Sequence, residues 1–184
     1  MNLWHDVDSD RITNRDFIAV IEISKGSKNK YEMDKATGAL ILDRVLHTST
    51  HYPANYGFIP LTLSDDHDPL DVLVLCSEPI VPMALVRCYP IGVISMQDGD
   101  ELDHKIIAIP ITEPLWNGYR DIKDLPSHIM NEITHFFNVY KQLEHKHTSI
   151  LEIMDAMTAE VIIKENMQRY LVTFAKRKKK TTSH

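Results

Sequence analysis

Several features that would place a protein in a special class are scarce in this chain of 184 residues. Its two cysteines, Cys76 and Cys88, lie in apolar surroundings and form no C-x-x-C pair, so we expect reduced core residues rather than a disulfide. No apolar run approaches the ~18 residues that a membrane span requires. Residues 1–6 lack the basic and apolar regions of a signal peptide. These absences predict a cytoplasmic protein without a membrane partner.

Internal repeats and low-complexity segments are also missing, apart from a basic run at residues 176–180. The chain has a net charge of −6 and this run contributes +5, which leaves −11 on the rest. A body that is this acidic argues against nucleic-acid binding over a broad surface. We therefore predict a single domain at residues 1–175, followed at 176–184 by a basic, solvated and flexible tail.

Short strands separated by tight turns dominate the first two thirds of the sequence. Residues 17–23 are apolar and β-branched, 30–34 alternate charged with apolar side chains, and 40–46 are again apolar. Further apolar runs at 72–75 and 106–110 predict two more strands. This pattern favours an antiparallel meander or barrel.

The C-terminal third changes to a helical period. Apolar residues at 129, 133, 136 or 137, 140 and 143 predict a helix that begins near Ser127, with Pro126 near its first turn and Asp124 or Ser127 as its cap. A second helix is predicted from about Thr158 to Phe174. The expected fold class is therefore mainly β with two principal flanking helices (α+β).

The densest charged feature is an acidic loop (residues 64–71) that leads into a buried strand. Four aspartates fall within seven positions of it: Asp65, Asp66, Asp68 and Asp71. Two unit charges ~4 Å apart at an effective dielectric near 20 repel by about 4 kcal/mol. Such a cluster favours binding of a hard divalent cation, which prefers oxygen ligands. The alternative is a solvated turn, since Asp, Pro and His are common turn residues.

A second acidic cluster repeats this arrangement. Asp98, Asp100, Glu101 and Asp103 precede the apolar strand at 106–110, so the two clusters could face one cavity. An EF-hand starting at Asp66 is excluded, because it would need glycine and glutamate where the chain has Asp71 and Ser77. The lack of zinc-type Cys/His spacing makes magnesium or manganese the better fit.

Magnesium in proteins often bridges carboxylates to a substrate phosphate, so cations and hydroxyls for that phosphate should also be present. Each candidate has a structural alternative: lysines on a solvated strand, an arginine paired with Asp43, or tyrosines in the core. The candidates are Lys30, Arg44, Tyr56, Lys105, Tyr140 and Lys141.

The acidic loop resembles the signature of the family I soluble inorganic pyrophosphatases of the bacterial type. The matching residues are Asp66-His67-Asp68-Pro69-Leu70-Asp71-Val72. Other segments match the family in order and extend the resemblance over nearly the whole chain, at 30–32, 43–44, 52–57, 98, 103–105, 121–126 and 136–141.

The resemblance implies a fold, a reaction and an assembly. The fold is a five-stranded, OB-like closed β-barrel with flanking helices. The reaction is the magnesium-dependent hydrolysis of inorganic diphosphate to two phosphates, with several ions per site and Mn²⁺ or Zn²⁺ as possible substitutes. Bacterial members of this length are typically homohexamers, built as dimers of trimers.

The resemblance also implies individual roles. Asp68 is the expected general base, and Glu22 and Glu32 are expected in the active site through water-mediated metal contacts. The expected magnesium ligands are Asp66, Asp71 (shared between two ions), Asp98 and Asp103. The expected pyrophosphate ligands are the six cationic and tyrosine candidates named above.

Two positions depart from the family pattern. His67 stands where relatives usually have a small or turn-forming residue, and histidine tolerates a positive φ better than bulky residues do. Gly99 stands where relatives often have another acid. Two other functions remain open: a metal-dependent phosphohydrolase for nucleotides or phosphomonoesters, and a nucleic-acid-binding barrel that uses the basic tail.

Overall fold

The computed structural model describes residues 2–174, so the predicted tail at 176–184 lies outside the described residues. The fold combines eight strands with two principal helices. The strands are β1 (Phe17–Ile23), β2 (Asn29–Met33), β3 (Leu40–Val45), β4 (Asn55–Ile59), β5 (Leu70–Val74), β6 (Leu85–Asp98), β7 (Glu101–Pro110) and β8 (Thr148–Asp155). The helices are α1 (Ser127–Val139) and α2 (Ala156–Phe174).

Five strands close into a ring. β1 pairs with β4, β4 with β5, β7 with β6, and β6 returns to β1, all antiparallel, whereas β5 and β7 run parallel. The predicted five-stranded closed barrel is therefore confirmed. β8 pairs antiparallel with the C-terminal half of β6. β2 and β3 form a separate two-stranded hairpin.

The ring strands are apolar because both of their faces are covered. Side chains of Leu73, Ile94 and Ile107 belong to a core cluster that includes Phe136 and Phe137 of α1. Residues on the opposite faces of the same strands pack in a second cluster with Ala159, Ile162 and Ile163 of α2. All seven residues of β1 are buried, as is typical of a strand enclosed on both faces.

The helix predictions were correct in type and wrong in detail. Pro126 occupies the N-cap position of α1 and makes no side-chain hydrogen bond there. Asp124, proposed as a cap of α1, instead accepts from the backbone N–H of Asp121 at 3.0 Å and closes a short 3₁₀ turn. α2 begins at Ala156, slightly before the predicted start.

Three strands were not predicted. β4 is rich in aromatic residues and contains Gly57, β6 carries Pro90 and Gly92 within its apolar run, and β8 lacks a clear alternation of apolar and polar side chains. Both cysteines are free, as predicted. None of the helices within residues 2–174 is long and apolar enough to span a membrane.

Candidate active site

A cavity of about 290 Å³ opens between the barrel, the β2–β3 hairpin and the end of α1. Every predicted site residue except Arg44 lines it. The lining includes Glu22, Lys30, Glu32, Tyr56, Asp66, Asp68, Asp71, Asp98, Asp103, Lys105, Tyr140 and Lys141.

The parallel pairing of β5 with β7 explains why both acidic clusters reach this cavity. Asp71 of β5 lies beside Lys105 of β7 in register, so the loops that precede the two strands meet at one edge of the barrel. Asp98, at the end of β6, pairs with Glu101 across the β6–β7 turn. Both clusters therefore contribute to one cavity, the first through Asp66, Asp68 and Asp71 and the second through Asp98 and Asp103, whereas Asp65, Asp100 and Glu101 are not in its lining.

Lys105 is the buried centre of the acidic half. Its Nζ donates to Asp71 Oδ2 at 2.6 Å, to Asp103 Oδ2 at 2.9 Å and to the Tyr56 hydroxyl at 2.8 Å. The side chain is 2% exposed. Burial disfavours its charge, but attraction to Asp103 and Asp71 outweighs that effect and raises the lysine pKa well above its usual value. The ammonium therefore stays charged and offsets the repulsion between the two carboxylates.

Burial shifts the titration of several acids towards neutral pH. It raises the pKa of Asp103 to about 6 and the pKa of Glu22 to about 8, and it also raises the pKa of Asp66. Glu22 is further held by a hydrogen bond of 2.7 Å from the Met33 N–H to its Oε1. Additional positive charge in the cavity would stabilise the ionised form of all three carboxyl groups.

The donor set fits a hard divalent cation in its chemistry. Asp66, Asp71, Asp98 and Asp103 offer carboxylate oxygens, which magnesium and manganese prefer. Over residues 2–174, however, no three His, Cys, Asp or Glu side chains converge as a ready-made metal cage. Lysines engage the carboxylates instead: Lys105 binds Asp71 and Asp103, and Lys141 binds Asp98.

The β2–β3 hairpin supplies the opposite charge. Lys30 and Arg44 are paired across the hairpin, and both contact Asp43 Oδ2, at 2.8 Å from Lys30 Nζ and 2.6 Å from Arg44 Nη1. Arg44 Nε also lies 2.6 Å from Glu144 Oε1. The pairing of Arg44 with Asp43, raised above as the structural alternative, is thus observed. Arg44 Nη2 is nevertheless buried and has no hydrogen-bond partner among the described residues.

The end of α1 closes the third side of the cavity. Tyr140 follows the last residue of the helix, and its ring stacks on Phe136 with centroids 5.0 Å apart. Burial raises the pKa of its hydroxyl, so Tyr140 remains a neutral hydrogen-bond donor. Lys141 comes next and forms an ion pair with Asp98.

One charged residue of the cavity lining, Lys35, was not predicted. It lies in the turn between β2 and β3, and its ammonium forms an ion pair with the carboxylate of Asp68. The sequence does not predict this contact, because Lys35 and Asp68 are far apart along the chain and meet only when the hairpin packs against the loop. Asp65, to which the family resemblance assigned no role, forms an ion pair with Arg169 of α2 at 3.0 Å.

His67 has a φ of 66°, so the position does require the left-handed conformation considered above. This turn is closed by hydrogen bonds from the Ser64 N–H to Asp68 O (2.7 Å) and from the Asp68 N–H to Asp66 Oδ1 (3.0 Å). It places Asp66 and Asp68 on the cavity side.

Comparison with known proteins identifies a family that covers most of the chain. The sequence model of the family "Inorganic pyrophosphatase" matches residues 19–171. Soluble inorganic pyrophosphatase 2 of Chlamydomonas reinhardtii is 45% identical over 175 residues, which are 95% of this chain and 91% of the relative. Soluble inorganic pyrophosphatase 1 of Arabidopsis thaliana is 43% identical over 167 residues, covering 91% and 79%.

A solved structure agrees with the sequence relatives. The crystal structure of the inorganic pyrophosphatase from Thermus thermophilus superposes with a TM-score of 0.88 at 36% identity, covering 92% of this chain and 99% of that one. Fold, family match and identity over nearly the full chain all agree with the resemblance seen in the acidic loop. The chain therefore belongs to the inorganic pyrophosphatase family, and with it to the inorganic diphosphatase enzymes.

Proposed function

We propose that the protein hydrolyses inorganic pyrophosphate to two phosphate ions with magnesium as its cofactor. The observation that carries this proposal is the division of one cavity into two charged halves. Carboxylates from the barrel edge face cations from the hairpin and from the end of α1, with Lys30 and Lys141 among them. Pyrophosphate with bound magnesium has the complementary charge distribution, because its metal ions suit the carboxylates and its phosphate oxygens suit the cations.

Asp66, Asp71, Asp98 and Asp103 are the residues that would hold the magnesium ions, several per site, with Mn²⁺ or Zn²⁺ as possible substitutes. When bound, such ions supply positive charge that acidifies a water molecule and stabilises the attacking and leaving oxygens. The raised pKa values of Asp66 and Asp103 support this assignment, because burial disfavours their ionised forms and a bound cation would favour them.

Asp68 is the proposed general base, which takes a proton from the attacking water. Its backbone is fixed by the turn at His67, and its side chain lies at the cavity wall, half exposed at 48%. A base must remain accessible and must not be saturated by other ligands. The ion pair with Lys35 keeps a positive charge beside this carboxylate.

The pyrophosphate oxygens would be bound by donors from both halves: Lys30, Arg44, Tyr56, Lys105, Tyr140 and Lys141. Lysine and arginine side chains neutralise the charge that spreads over phosphoryl oxygens during transfer. Arg44 lies outside the cavity lining, and its buried Nη2, without a hydrogen-bond partner among the described residues, is the donor that it would offer to a phosphate. Glu22 and Glu32 would complete the site through water-mediated contacts to the metal ions.

Phosphate release from pyrophosphate in millimolar magnesium tests this function, with chelator as the negative condition. Asp68→Asn should fold and bind metal, yet lose about 10²- to 10⁴-fold in kcat. Asp100→Asn, in the exposed turn between β6 and β7, is the matched control and should keep wild-type turnover. Wild-type turnover in the Asp68→Asn variant would show that Asp68 is not the general base. Faster release from phosphomonoesters or nucleotides would favour a different phosphohydrolase.

We further propose that the enzyme is a cytoplasmic homohexamer, a dimer of trimers. Large apolar side chains stay exposed along β8 and the start of α2, including Leu151, Ile153 and Met157, and this supports burial between copies. The free cysteines agree with a reducing compartment. Light scattering should give six times the chain mass, and a monomeric mass at micromolar concentration would refute the assembly.

A further inference from the structure

Helix α2 holds the acidic loop from outside the cavity. The Arg169 guanidinium donates from Nη1 to the backbone oxygen of Leu63 at 2.9 Å, and its Nη2 lies 3.0 Å from Asp65 Oδ1. Asn166, which is 4% exposed, accepts from the Ser64 hydroxyl at 3.0 Å through Oδ1 and from the Leu63 N–H at 3.1 Å through its backbone oxygen. Three consecutive loop positions are therefore tied to one helical turn.

These contacts also connect with each other. The Nη1 group of Arg169 lies 3.4 Å from Asn166 Oδ1, and the Asn166 side chain donates to the Ile162 carbonyl at 2.8 Å. Both side chains are thus oriented before they reach the loop. A planar guanidinium can serve a carbonyl and a carboxylate together, which a lysine ammonium at the end of a flexible stem does poorly.

The other end of the loop is fixed independently. The Thr62 hydroxyl accepts from the Leu70 N–H at 2.9 Å, so the loop is closed at its base. Between these two attachments the chain must turn through His67 in the left-handed region, and Asp66 and Asp68 project towards the cavity. Like-charge repulsion among the aspartates works against this arrangement. The contacts from α2 oppose that repulsion on the outer side of the loop.

We propose that Arg169, supported by Asn166, is a positioning residue that holds Asp66 and Asp68 in the geometry needed for metal binding and proton transfer. This inference rests on the proposed function for its catalytic consequence, but its effect on the loop and on metal affinity can be measured without turnover. Groups that orient metal ligands from outside typically change metal affinity or activity 10- to 100-fold when they are removed.

The test compares Arg169→Met with Arg15→Met in the full-length protein. Arg15 forms an ion pair of 2.8 Å with Glu160, so this control also removes an arginine contact of α2, but far from the loop. Manganese binding, measured from the free Mn²⁺ signal in electron paramagnetic resonance, should weaken about 10-fold in Arg169→Met and stay unchanged in Arg15→Met. The magnesium concentration for half-maximal activity should rise by a similar factor, and kcat at saturating magnesium should fall much less.

Hydrogen exchange gives a second readout without metal. The amides of Ser64, His67 and Asp68, which close the loop, should exchange faster in Arg169→Met than in wild type. Arg169→Lys keeps the charge beside Asp65 but offers a single donor centre, so it should recover only part of the metal affinity. If Arg169→Met does not fold, Asp65→Asn weakens the Arg169 contact and Ser64→Ala removes the contact with its supporting residue Asn166, both from the loop side, and each should weaken manganese binding.

The outcomes separate this inference from the proposed function. Wild-type manganese affinity and loop exchange in Arg169→Met, or in the two loop variants, would overturn the positioning role even if the enzyme hydrolyses pyrophosphate. A wild-type protein that binds manganese but releases no phosphate would overturn the proposed function, while the measured effect of Arg169 on metal binding would stand.

Discussion

The two halves of the candidate site are built very differently. Asp71, Asp103 and Lys105 lie on strands of the closed ring, with Lys105 buried and bonded to both carboxylates. Lys30 and Arg44 lie on a two-stranded hairpin that pairs with no other strand in the described part of the chain. Most side chains of this hairpin are at least partly exposed.

This difference indicates how the site divides its work. A two-stranded hairpin is marginally stable alone, so its position depends on contacts such as the Arg44–Glu144 ion pair and the Met33–Glu22 hydrogen bond. The ring, in contrast, fixes its charged groups by burial and strand register. We therefore expect substitutions in the ring half to affect both stability and activity, and those in the hairpin half to affect mainly activity.

The largest effect on stability should come from Gly57→Ala in β4. A Cβ at this position would lie 1.8 Å from the backbone oxygen of Val20 in β1, and neither strand of the closed ring can move away freely. We expect insoluble protein or a loss of more than about 4 kcal/mol in the free energy of unfolding, measured with urea. Gly118→Ala, where a Cβ meets nothing within 4 Å, should be within about 0.5 kcal/mol of wild type.

Lys105→Met tests the charged part of the same ring. Removal of the ammonium leaves Asp71 and Asp103 close together, partly buried and without their shared cation. We expect a loss of about 3 kcal/mol in the free energy of unfolding in chelator, together with loss of pyrophosphate hydrolysis. Retention of wild-type stability would mean that Lys105 does not hold the two carboxylates together.

The fold was largely predictable because its main strands are apolar and β-branched. The runs at β1 and β5 can be assigned from composition, but β4 could not, since it combines aromatic residues with Asn55 and Gly57. These two residues satisfy tertiary demands: Asn55 is buried and bonds the 76–80 loop, and Gly57 lets β1 approach. β8 was missed because half of its side chains are exposed, so its sequence shows no apolar face.

The site was predictable where charge density or the family resemblance marked it. Asp66, Asp68 and Asp71 are close in sequence, so their clustering needs no tertiary information. Lys35 and Arg169 reach the same loop from a hairpin turn and from the C-terminal helix. Nothing in their local sequence distinguishes them from solvated cations, so only the folded chain reveals these contacts.

The pH dependence of stability should show a smaller effect, which tests the ring and its contact with the hairpin through Glu22. Burial raises the Glu22 pKa from 4.5 to about 8, so the folded protein keeps a proton that the unfolded chain releases in this range. The stabilisation is therefore complete below pH 4.5 and is lost as pH rises towards 8. Asp103, with its pKa raised to about 6, acts in the same direction.

In chelator, the free energy of unfolding should thus fall by about 1 kcal/mol per pH unit between pH 5 and 7.5, below the linkage limit of about 1.4 kcal/mol per pH unit for each titrating group. Glu22→Gln should flatten this slope, whereas Glu78→Gln, at an exposed position, should leave it unchanged. An unchanged slope in Glu22→Gln would show that the carboxyl group is ionised in the folded protein.

The smallest effect on stability should come from the hairpin. Here the expected effects on stability and on activity differ most, so the two halves of the site are compared most directly. Lys30→Ala removes ion pairs with Glu32 and Asp43, whose side chains are 48% and 31% exposed. The free energy of unfolding should therefore drop by about 1 kcal/mol or less. If Lys30 binds a phosphate oxygen, kcat/KM should still fall at least about 10-fold. Lys25→Ala, at an exposed turn before β2, should change neither quantity. A loss of stability in Lys30→Ala as large as that in Lys105→Met would show that the hairpin is part of the rigid core, and the division between the two halves would be wrong.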